Sequence, residues 1–266
     1  AALSTGGFST RPESIGYWDS AWVEAAVMFL MLIGTLNFLT SYLLVRGRLR
    51  AAARNTEVRL SAALIPLFSL ILLFGVTLGL YPTLGKSMRV AVFETVSALT
   101  TTGFATVDYH PWSGLGWFAL ILLMMIGGGT GSTAGAIKQY RIYVMLQALV
   151  WEVRRALLPG NAVSRPYVWQ GERKEYLTDE RVRQVGVFVF LYVATYFAGS
   201  MVLAWHGYTL PESLFEFASA LGTVGLSVGV TLPDAPPAVL WTEMAGMFLG
   251  RLEFFTILIG IAKIAA

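Results

Sequence analysis

The chain has no cysteine and only two histidines among its 266 residues. Disulfides, thiolate metal sites and thiol nucleophiles are therefore excluded, and two isolated histidines do not make a cluster of metal ligands. Charge is also scarce, at 13% of residues against about a quarter in soluble proteins. The 56% share of apolar residues then predicts an all-α polytopic membrane protein, and nothing in the composition suggests a nucleic-acid partner.

Catalytic motifs are missing as well. The sequence contains no HExxH and no paired-aspartate membrane motif, which are patterns that place a metal or a pair of carboxylates in hydrolytic enzymes. Two lone histidines add little to this inventory. We therefore do not expect an enzyme.

Five apolar stretches are long enough to span a membrane. Between them, fourteen of the nineteen lysines and arginines lie in two connections, 46–59 and 138–183. Membrane proteins collect basic residues on the cytoplasmic side, so both connections are predicted to be cytoplasmic in a multi-pass protein of the cell membrane. Within the second connection, 151–183 is predicted to be a polar connector rather than a separate domain. The predicted spans are 18–45, 62–81, 117–138, 185–205 and 238–261.

One short sequence occurs three times. The motif FExxSAL at 93–99 recurs at 215–221, Gly103 and Gly225 follow it at the same distance, and 2–10 matches 98–106 in the same register. The predicted chain crosses the membrane twice between copies, so every copy enters from the outer face. Such repeats are parallel and can surround one axis, whereas inverted repeats need an odd number of crossings.

Each copy has the features of an ion-coordinating loop. A dehydrated cation needs replacement oxygens, which rings of backbone carbonyls at one depth supply. Glycine lets the backbone turn its carbonyls inward, and a short preceding helix aims its negative end at the ion. A small-residue face that packs two helices is the alternative, and three copies in one orientation disfavour it. The predicted ion-binding residues are Thr5, Gly6, Gly7, Phe8, Thr101, Thr102, Gly103, Phe104, Thr223, Val224, Gly225 and Leu226.

A second glycine-rich segment lies inside a predicted span. Four of the five residues from Gly127 to Gly131 are glycine, and each costs a helix up to about 1 kcal/mol relative to alanine, which favours a flexible loop. The alternative is a double GxxxG face of Gly127, Gly131 and Gly135 for helix packing. The segment also imitates a dinucleotide fingerprint, but it follows an apolar helix rather than a strand, so that interpretation is rejected.

Arg251 lies thirteen residues after Ala238, about 20 Å deep at the helical rise. A guanidinium at that depth costs at least about 2.5–3.5 kcal/mol unless it has partners. We expect the partner to be a carbonyl of the glycine-rich segment or an acid elsewhere, because Glu253 points to another side of the helix. The alternative is a structural ion pair with no role in transport.

Glu94 and Glu216 occupy matching positions near the predicted starts of the helices that precede two of the loops. Two interpretations stay open. The carboxylates stabilise the helix dipole, or they raise the cation concentration at the outer mouth together with Asp108 and Asp234.

Four motifs, STGGF, TTTGFAT, GGGTGSTAGAIK and GRLEFFT, follow one another in this order. They resemble the Trk/Ktr/HKT superfamily of cation transporters, most closely TrkH-like translocating subunits, over essentially the whole chain. The resemblance implies parallel M1-P-M2 repeats with re-entrant loops around a pseudo-fourfold, K+-channel-like pore. It also implies a gate below the filter in which Arg251 projects into the pore and holds an intramembrane loop closed, and the loop residues are Gly127, Gly128, Gly129, Thr130 and Gly131.

By this comparison the chain starts in the second filter loop, and the first repeat is absent. Residues 1–61 are then the end of the second repeat, 62–184 the third with its connector, and 185–266 the fourth. The resemblance further implies K+ as the transported ion, a homodimer, no cofactor in this chain, and a cytoplasmic TrkA/KtrA-like partner that binds the nucleotide. Preference for K+ or Na+ stays open because the first loop bears on it. A secondary transporter with a midplane site is the alternative function.

Overall fold

The structure is a computed structural model that describes residues 1–157, 166–170, 173–232, 234–252 and 254–265. These residues are mainly helical. The helices are α1 (Ala21–Thr35), α2 (Phe38–Val45), α3 (Leu49–Arg54), α4 (Thr56–Leu72), α5 (Leu78–Leu80), α6 (Leu84–Leu99), α7 (Gly114–Ile126), α8 (Gln139–Leu157), α9 (Asp179–Trp205), α10 (Leu210–Gly222), α11 (Pro237–Leu252) and α12 (Phe254–Ala265). Strands β1 (Tyr167–Gln170) and β2 (Arg173–Tyr176) form one antiparallel hairpin.

Among the described residues, two helical stretches are long and apolar enough to cross a membrane, Thr56–Leu80 and Asp179–Trp205. The first joins α4 to α5 through a π-helical turn at Leu73–Thr77. A third crossing is possible if α1 and α2 are counted as one span, and α7 is a shorter apolar helix.

The predicted span over 18–45 is not one straight helix. The backbone leaves the helix at Leu36, and α2 continues at 114° to α1. Asn37 explains the restart, because its side-chain oxygen accepts a hydrogen bond from the Leu39 amide at 2.8 Å and so caps α2. The sequence signal for this break was Asn37, a polar residue with a strong capping preference in the middle of an apolar run.

Local start signals fix the two helices that precede loops. Thr83 caps α6, accepting a hydrogen bond from the Lys86 amide at 3.3 Å. A capping box of Thr209 and Glu212 starts α10, with Pro211 in its first turn. The start of α6 at Leu84 makes this helix longer than the two turns predicted from Phe93 onward.

The polar connector is docked on the start of α4. The Trp169 amide in β1 donates to the Thr56 hydroxyl at 3.0 Å, and the Arg54 guanidinium lies 5.9 Å from the centre of the Trp169 ring. Residues 158–165 and 171–172 of the predicted connector lie outside the described residues. The described parts of the connector are the end of α8, the hairpin and the start of α9.

The helices that precede the loops lie at the centre of the molecule. Helix α10 packs against α7, α9 and α11, and α6 packs against α1, α4 and α7. Many of their apolar side chains are fully enclosed, as are several of those on α7; examples are Leu99, Leu120, Leu123, Phe215 and Leu221. This burial offsets the cost of ordering short helices and holds the end of each helix in a fixed place.

Candidate functional site

The three loops share one backbone conformation. In each, a threonine directly after the helical turn is left-handed, with φ between 49° and 54°, and the glycine two residues later is also left-handed, with φ between 64° and 95°. A threonine in this region is uncommon and strained, so its occurrence at three equivalent places is a property of the repeat. The pairs are Thr5 and Gly7, Thr101 and Gly103, and Thr223 and Gly225.

The hydrogen bonds that end the helical turns repeat as well. Each left-handed threonine amide donates to the carbonyl three residues back, at 3.0–3.2 Å, and the next amide donates to the carbonyl five residues back, at 2.9–3.1 Å. This pattern satisfies the last carbonyls of a helix and turns the chain sharply away from its axis. The sequence repeat therefore encodes a structural repeat, as its identical spacing predicted.

The loops also touch one another in order. A Cβ atom on Gly7 would lie 2.2 Å from the Thr102 carbonyl oxygen, and one on Gly103 would lie 1.9 Å from the Val224 carbonyl oxygen. Each glycine thus admits the backbone of the next loop. Beside Gly225 no described atom lies within 4 Å of the corresponding position. The three loops therefore form an arc of successive contacts that is open on the side of the third loop.

Two cavities flank this arc. One of about 720 Å³ is bordered by Gly7, Gly103 and Gly225 together with Asp108. A larger one of about 1030 Å³ lies between the first and third loops. Phe8 faces the open side with 86% of its surface exposed, whereas Phe104 and Leu226 at the equivalent positions are buried. All twelve residues predicted to bind ions therefore lie in one assembly of loops.

Glu94 and Glu216 are not at the starts of their helices, so the interpretation that they stabilise the helix dipole was wrong. Glu94 is in the third turn of α6 and Glu216 is in the middle of α10, and both side chains are buried. Each carboxylate accepts the amide twelve residues later, Thr106 at 2.8 Å and Val228 at 3.0 Å. These carboxylates therefore fasten the segment that follows each loop to the helix that precedes it.

Both carboxylates accept hydrogen bonds from additional donors. Glu94 also accepts the hydroxyls of Thr106, at 2.7 Å, and Tyr109. Glu216 also accepts the Ser227 hydroxyl at 2.7 Å and both the amide, at 3.1 Å, and the hydroxyl of Thr231. Sequence spacing alone did not reveal these contacts, because the chain folds back on itself between donor and acceptor.

We expect Glu216→Ala to destabilise the protein by on the order of 3 kcal/mol, because several buried donors lose their acceptor together. Glu212→Ala on the same helix is the matched control. Its side chain is only partly buried and caps the helix, so its loss should cost only about 1 kcal/mol. Thermal unfolding of the detergent-solubilised protein measures both. Equal melting temperatures for the two variants would contradict the fastening role.

Asp108 and Asp234 were predicted to attract cations at the outer mouth, and both are exposed. The Asp108 carboxylate lies 2.6 Å from Nδ1 of His110, and the hydrogen bond and charge of this partner lower the pKa of Asp108 and raise the pKa of His110. When His110 is protonated, the pair carries no net charge. Asp108 can therefore attract cations best at a pH above the His110 pKa.

The glycine-rich segment is a loop, and the packing-face alternative is excluded. Helix α7 ends at Ile126, and Gly127 has φ 71° and ψ −164°, a conformation essentially confined to glycine. Gly131 is also left-handed. The chain returns to a helix only at Gln139.

This loop lies directly against the three left-handed threonines. The Gly135 amide donates to the Thr101 hydroxyl at 3.0 Å, and the Thr5 hydroxyl donates to the Thr133 hydroxyl at 3.0 Å. A Cβ atom on Gly135 would lie 2.2 Å from the Thr223 hydroxyl oxygen. The segment thus closes one side of the arc of loops.

Three polar residues that sequence reasoning missed hold the other side of this loop. The buried Glu57 carboxylate accepts the Thr130 amide at 2.6 Å. The Asn37 side-chain amide donates to the Thr130 carbonyl, and the Gln139 side-chain amide donates to the Gly127 carbonyl at 3.1 Å. Glu57 is the only acid in the basic connection 46–59, and nothing in the sequence marked it as a partner of the glycine-rich segment.

Arg251 contacts the glycine-rich segment, but not at the predicted carbonyls. Its Nη1 donates to the Thr133 carbonyl oxygen at 2.5 Å, two residues beyond Gly131. Glu253, which was considered as a partner, lies outside the described residues. The Thr133 hydroxyl donates in turn to the Gly34 carbonyl at 3.0 Å. One residue thereby links α11, the segment and the end of α1.

Comparison with known proteins identifies relatives of this arrangement. The family model for TrkH, described as a cation transport protein, matches residues 62–265. The Trk system potassium uptake protein TrkH of Halomonas elongata is 34% identical over 97% of this chain and 54% of its own length. An uncharacterized cation transporter of Methanocaldococcus jannaschii is 28% identical over 98% of this chain and 52% of its own length.

A solved structure has the same fold. The crystal structure of the potassium transporter TrkH from Vibrio parahaemolyticus matches with a TM-score of 0.84 and 26% sequence identity, covering 97% of this chain and 56% of that one. The chain spans about half the length of the curated relatives it matches.

Proposed function

Because the chain belongs to the TrkH family of cation transport proteins, we propose that it is the pore-forming part of a potassium uptake system. The observation that carries this proposal is the arc of three loops with equal backbone angles, each in contact with the next. Backbone oxygens brought together in this way can replace the water shell of a monovalent cation.

In this proposal the ion is bound by main-chain carbonyls. The left-handed threonine and glycine in each loop turn successive carbonyls toward one side, and the glycine allows the neighbouring loop to come close. Side chains are secondary, which accounts for Phe8, Phe104 and Leu226 at equivalent positions. The proposed ion-binding residues are Thr5, Gly6, Gly7 and Phe8 in the first loop, Thr101, Thr102, Gly103 and Phe104 in the second, and Thr223, Val224, Gly225 and Leu226 in the third.

The proposed gate is the loop from Gly127 to Gly135. It contacts the threonine of each ion-binding loop, and it is attached to Arg251 and Glu57 by hydrogen bonds to its backbone. In this position it obstructs ions that leave the arc, and its glycines let it move without breaking a helix. Opening then requires loss of the bonds to its threonine residues, Thr130 and Thr133.

The remaining parts of the proposal concern assembly. Segments 1–61, 62–184 and 185–266 correspond to successive repeats around one pore, with the loops outside and the basic connections in the cytoplasm. We also propose a homodimer and a TrkA/KtrA-like nucleotide-binding partner, which the family resemblance implies. The hairpin is hydrogen-bonded to Thr56, and the next residue, Glu57, is hydrogen-bonded to Thr130. A partner bound at the hairpin therefore has a short route to the gate.

Purified protein in proteoliposomes tests this function. We expect K+ gradients to drive flux through it, and planar-bilayer recordings to resolve discrete single-channel currents. A transporter with a midplane site would instead give slow, saturable exchange without unitary currents, and that result would overturn the pore proposal.

A further inference from the structure

Glu243 is a buried carboxyl in α11 that the pore proposal does not use. Only 1% of its surface is exposed. Its Oε1 lies 3.0 Å from the hydroxyl oxygen of Thr231, in the segment that follows the third loop. A buried carboxyl with so little polar contact needs either a counter-charge or a proton.

The Thr231 hydroxyl is already committed to another acid. It donates to Glu216, whose carboxylate also accepts the Ser227 hydroxyl at 2.7 Å, the Val228 amide at 3.0 Å and the Thr231 amide at 3.1 Å. Four donors around one carboxylate stabilise its charged form. A hydroxyl carries a single proton, so Thr231 cannot also donate to Glu243.

Basic groups near Glu243 do not supply the alternative. Helix α11 packs against α9, α10 and α12. On α10 the ionisable groups are two acids, Glu216 and the partly buried Glu212. The ionisable side chains of α9 and α12 are, among the described residues, Tyr192 and Tyr196 within α9 and the charged groups at the helix ends, Asp179, Glu180, Arg181, Arg183 and Lys263. His206, just after α9, is exposed and binds the Val202 carbonyl.

We propose that Glu243 is a proton-binding site: it is held as the neutral acid and donates its proton to the Thr231 hydroxyl, which donates to charged Glu216. Loss of the proton to solvent leaves two carboxylates competing for one hydroxyl proton. The segment from Ser227 to Thr231 then shifts away from Glu243. Since this segment continues directly from Leu226, and given the proposed function, proton loss lowers cation flux.

Infrared difference spectroscopy tests the proton directly, whether or not the protein conducts. We expect Glu243→Gln to remove one carbonyl stretching band of a protonated carboxylic acid from the wild-type spectrum at neutral pH. Glu24→Gln is the matched control, because Glu24 is equally buried in the helix after the first loop but forms an ion pair with Arg89 at 2.6 Å. It should remove no such band.

A pH titration of the wild-type protein tests the same site even if the variant misfolds. The same acid band should disappear as pH is raised, and isotope exchange in heavy water should shift it. If the Glu243→Gln spectrum keeps every acid band of the wild-type spectrum, the proton-binding site is overturned. The proposed pore function does not depend on that result.

Flux measurements test the consequence. Wild-type flux should fall as pH rises above the midpoint of the acid band, by up to about tenfold per pH unit, the limit for one titrating proton. Glu243→Gln should conduct with no such fall, because its amide keeps a donor toward Thr231. If flux through Glu243→Gln falls with pH as it does in the wild type, the proton on Glu243 does not control flux.

Discussion

Alanine in place of Gly103 is expected to lower cation flux by on the order of a hundredfold, the loss that a displacement of about 1 Å causes at a site dependent on geometry. Gly103 has φ 81°, where a residue with a Cβ atom is strained by roughly 1–2 kcal/mol. The larger obstacle is steric. The new Cβ would lie 1.9 Å from the Val224 carbonyl oxygen, so either this loop or the third must move.

The site cannot absorb this displacement. Gly103 is in the middle of the arc. The first loop touches the neighbouring Thr102, and the third loop touches Gly103 through Val224. Below it, Thr101 binds the Gly135 amide. A shift in the second loop therefore changes the separation of carbonyls on both sides, and ions lose several of their oxygen ligands at once.

Uptake of K+ or Rb+ into proteoliposomes measures the effect, with the amount of folded protein checked by size-exclusion chromatography. Gly186→Ala in α9 is the matched control, because a Cβ atom there meets no described atom within 4 Å and the backbone is helical. It should conduct normally. Normal flux through folded Gly103→Ala would contradict a filter built from close-packed loop backbones.

Replacing Arg251 by alanine is expected to raise basal flux by about 10- to 100-fold. Its guanidinium donates to the Thr133 carbonyl at 2.5 Å, and a hydrogen bond from a charged group contributes about 1.5–3 kcal/mol. Every 1.4 kcal/mol shifts a two-state equilibrium tenfold. If the bond forms only when the loop is closed, its removal shifts the gate toward the open state by that amount.

Glu57→Ala is a companion test on the opposite side of the loop. Its carboxylate accepts the Thr130 amide, so its loss should raise flux in the same direction. Arg50→Ala is the control, since this arginine is exposed on α3, and it should leave flux unchanged. Open probability in single-channel recordings distinguishes gating from altered conductance. If neither Arg251→Ala nor Glu57→Ala changes open probability, the loop is not the gate.

Much of the local structure was predictable because it depends on residues that are close together in the sequence. The recurrence of FExxSAL and its following glycine predicted equivalent loops, and the equal left-handed angles at Thr5, Thr101 and Thr223 confirm that equivalence. Four glycines in five positions predicted a loop in place of a helix, and α7 ends at the first of them. The family likeness was visible in the motifs, and the family model confirms it.

Other features depend on residues far apart in the chain. The sequence placed Arg251 near the glycine-rich segment but could not select Thr133, and it assigned no function to Asn37, Glu57 or Gln139. The bend of 114° after α1 had only one local sign, Asn37 in an apolar run. Glu94 and Glu216 were misread because their partners lie across a reversal of the chain.

By itself, then, the sequence determined the class of protein, the repeat, and the positions where only glycine permits the backbone to turn. The tertiary structure alone decided which loop touches which, and how Thr231 bridges Glu216 and Glu243. The physical reason is that backbone angles and helix ends depend on neighbouring residues, whereas a buried polar group takes whichever partner helix packing brings within hydrogen-bond distance.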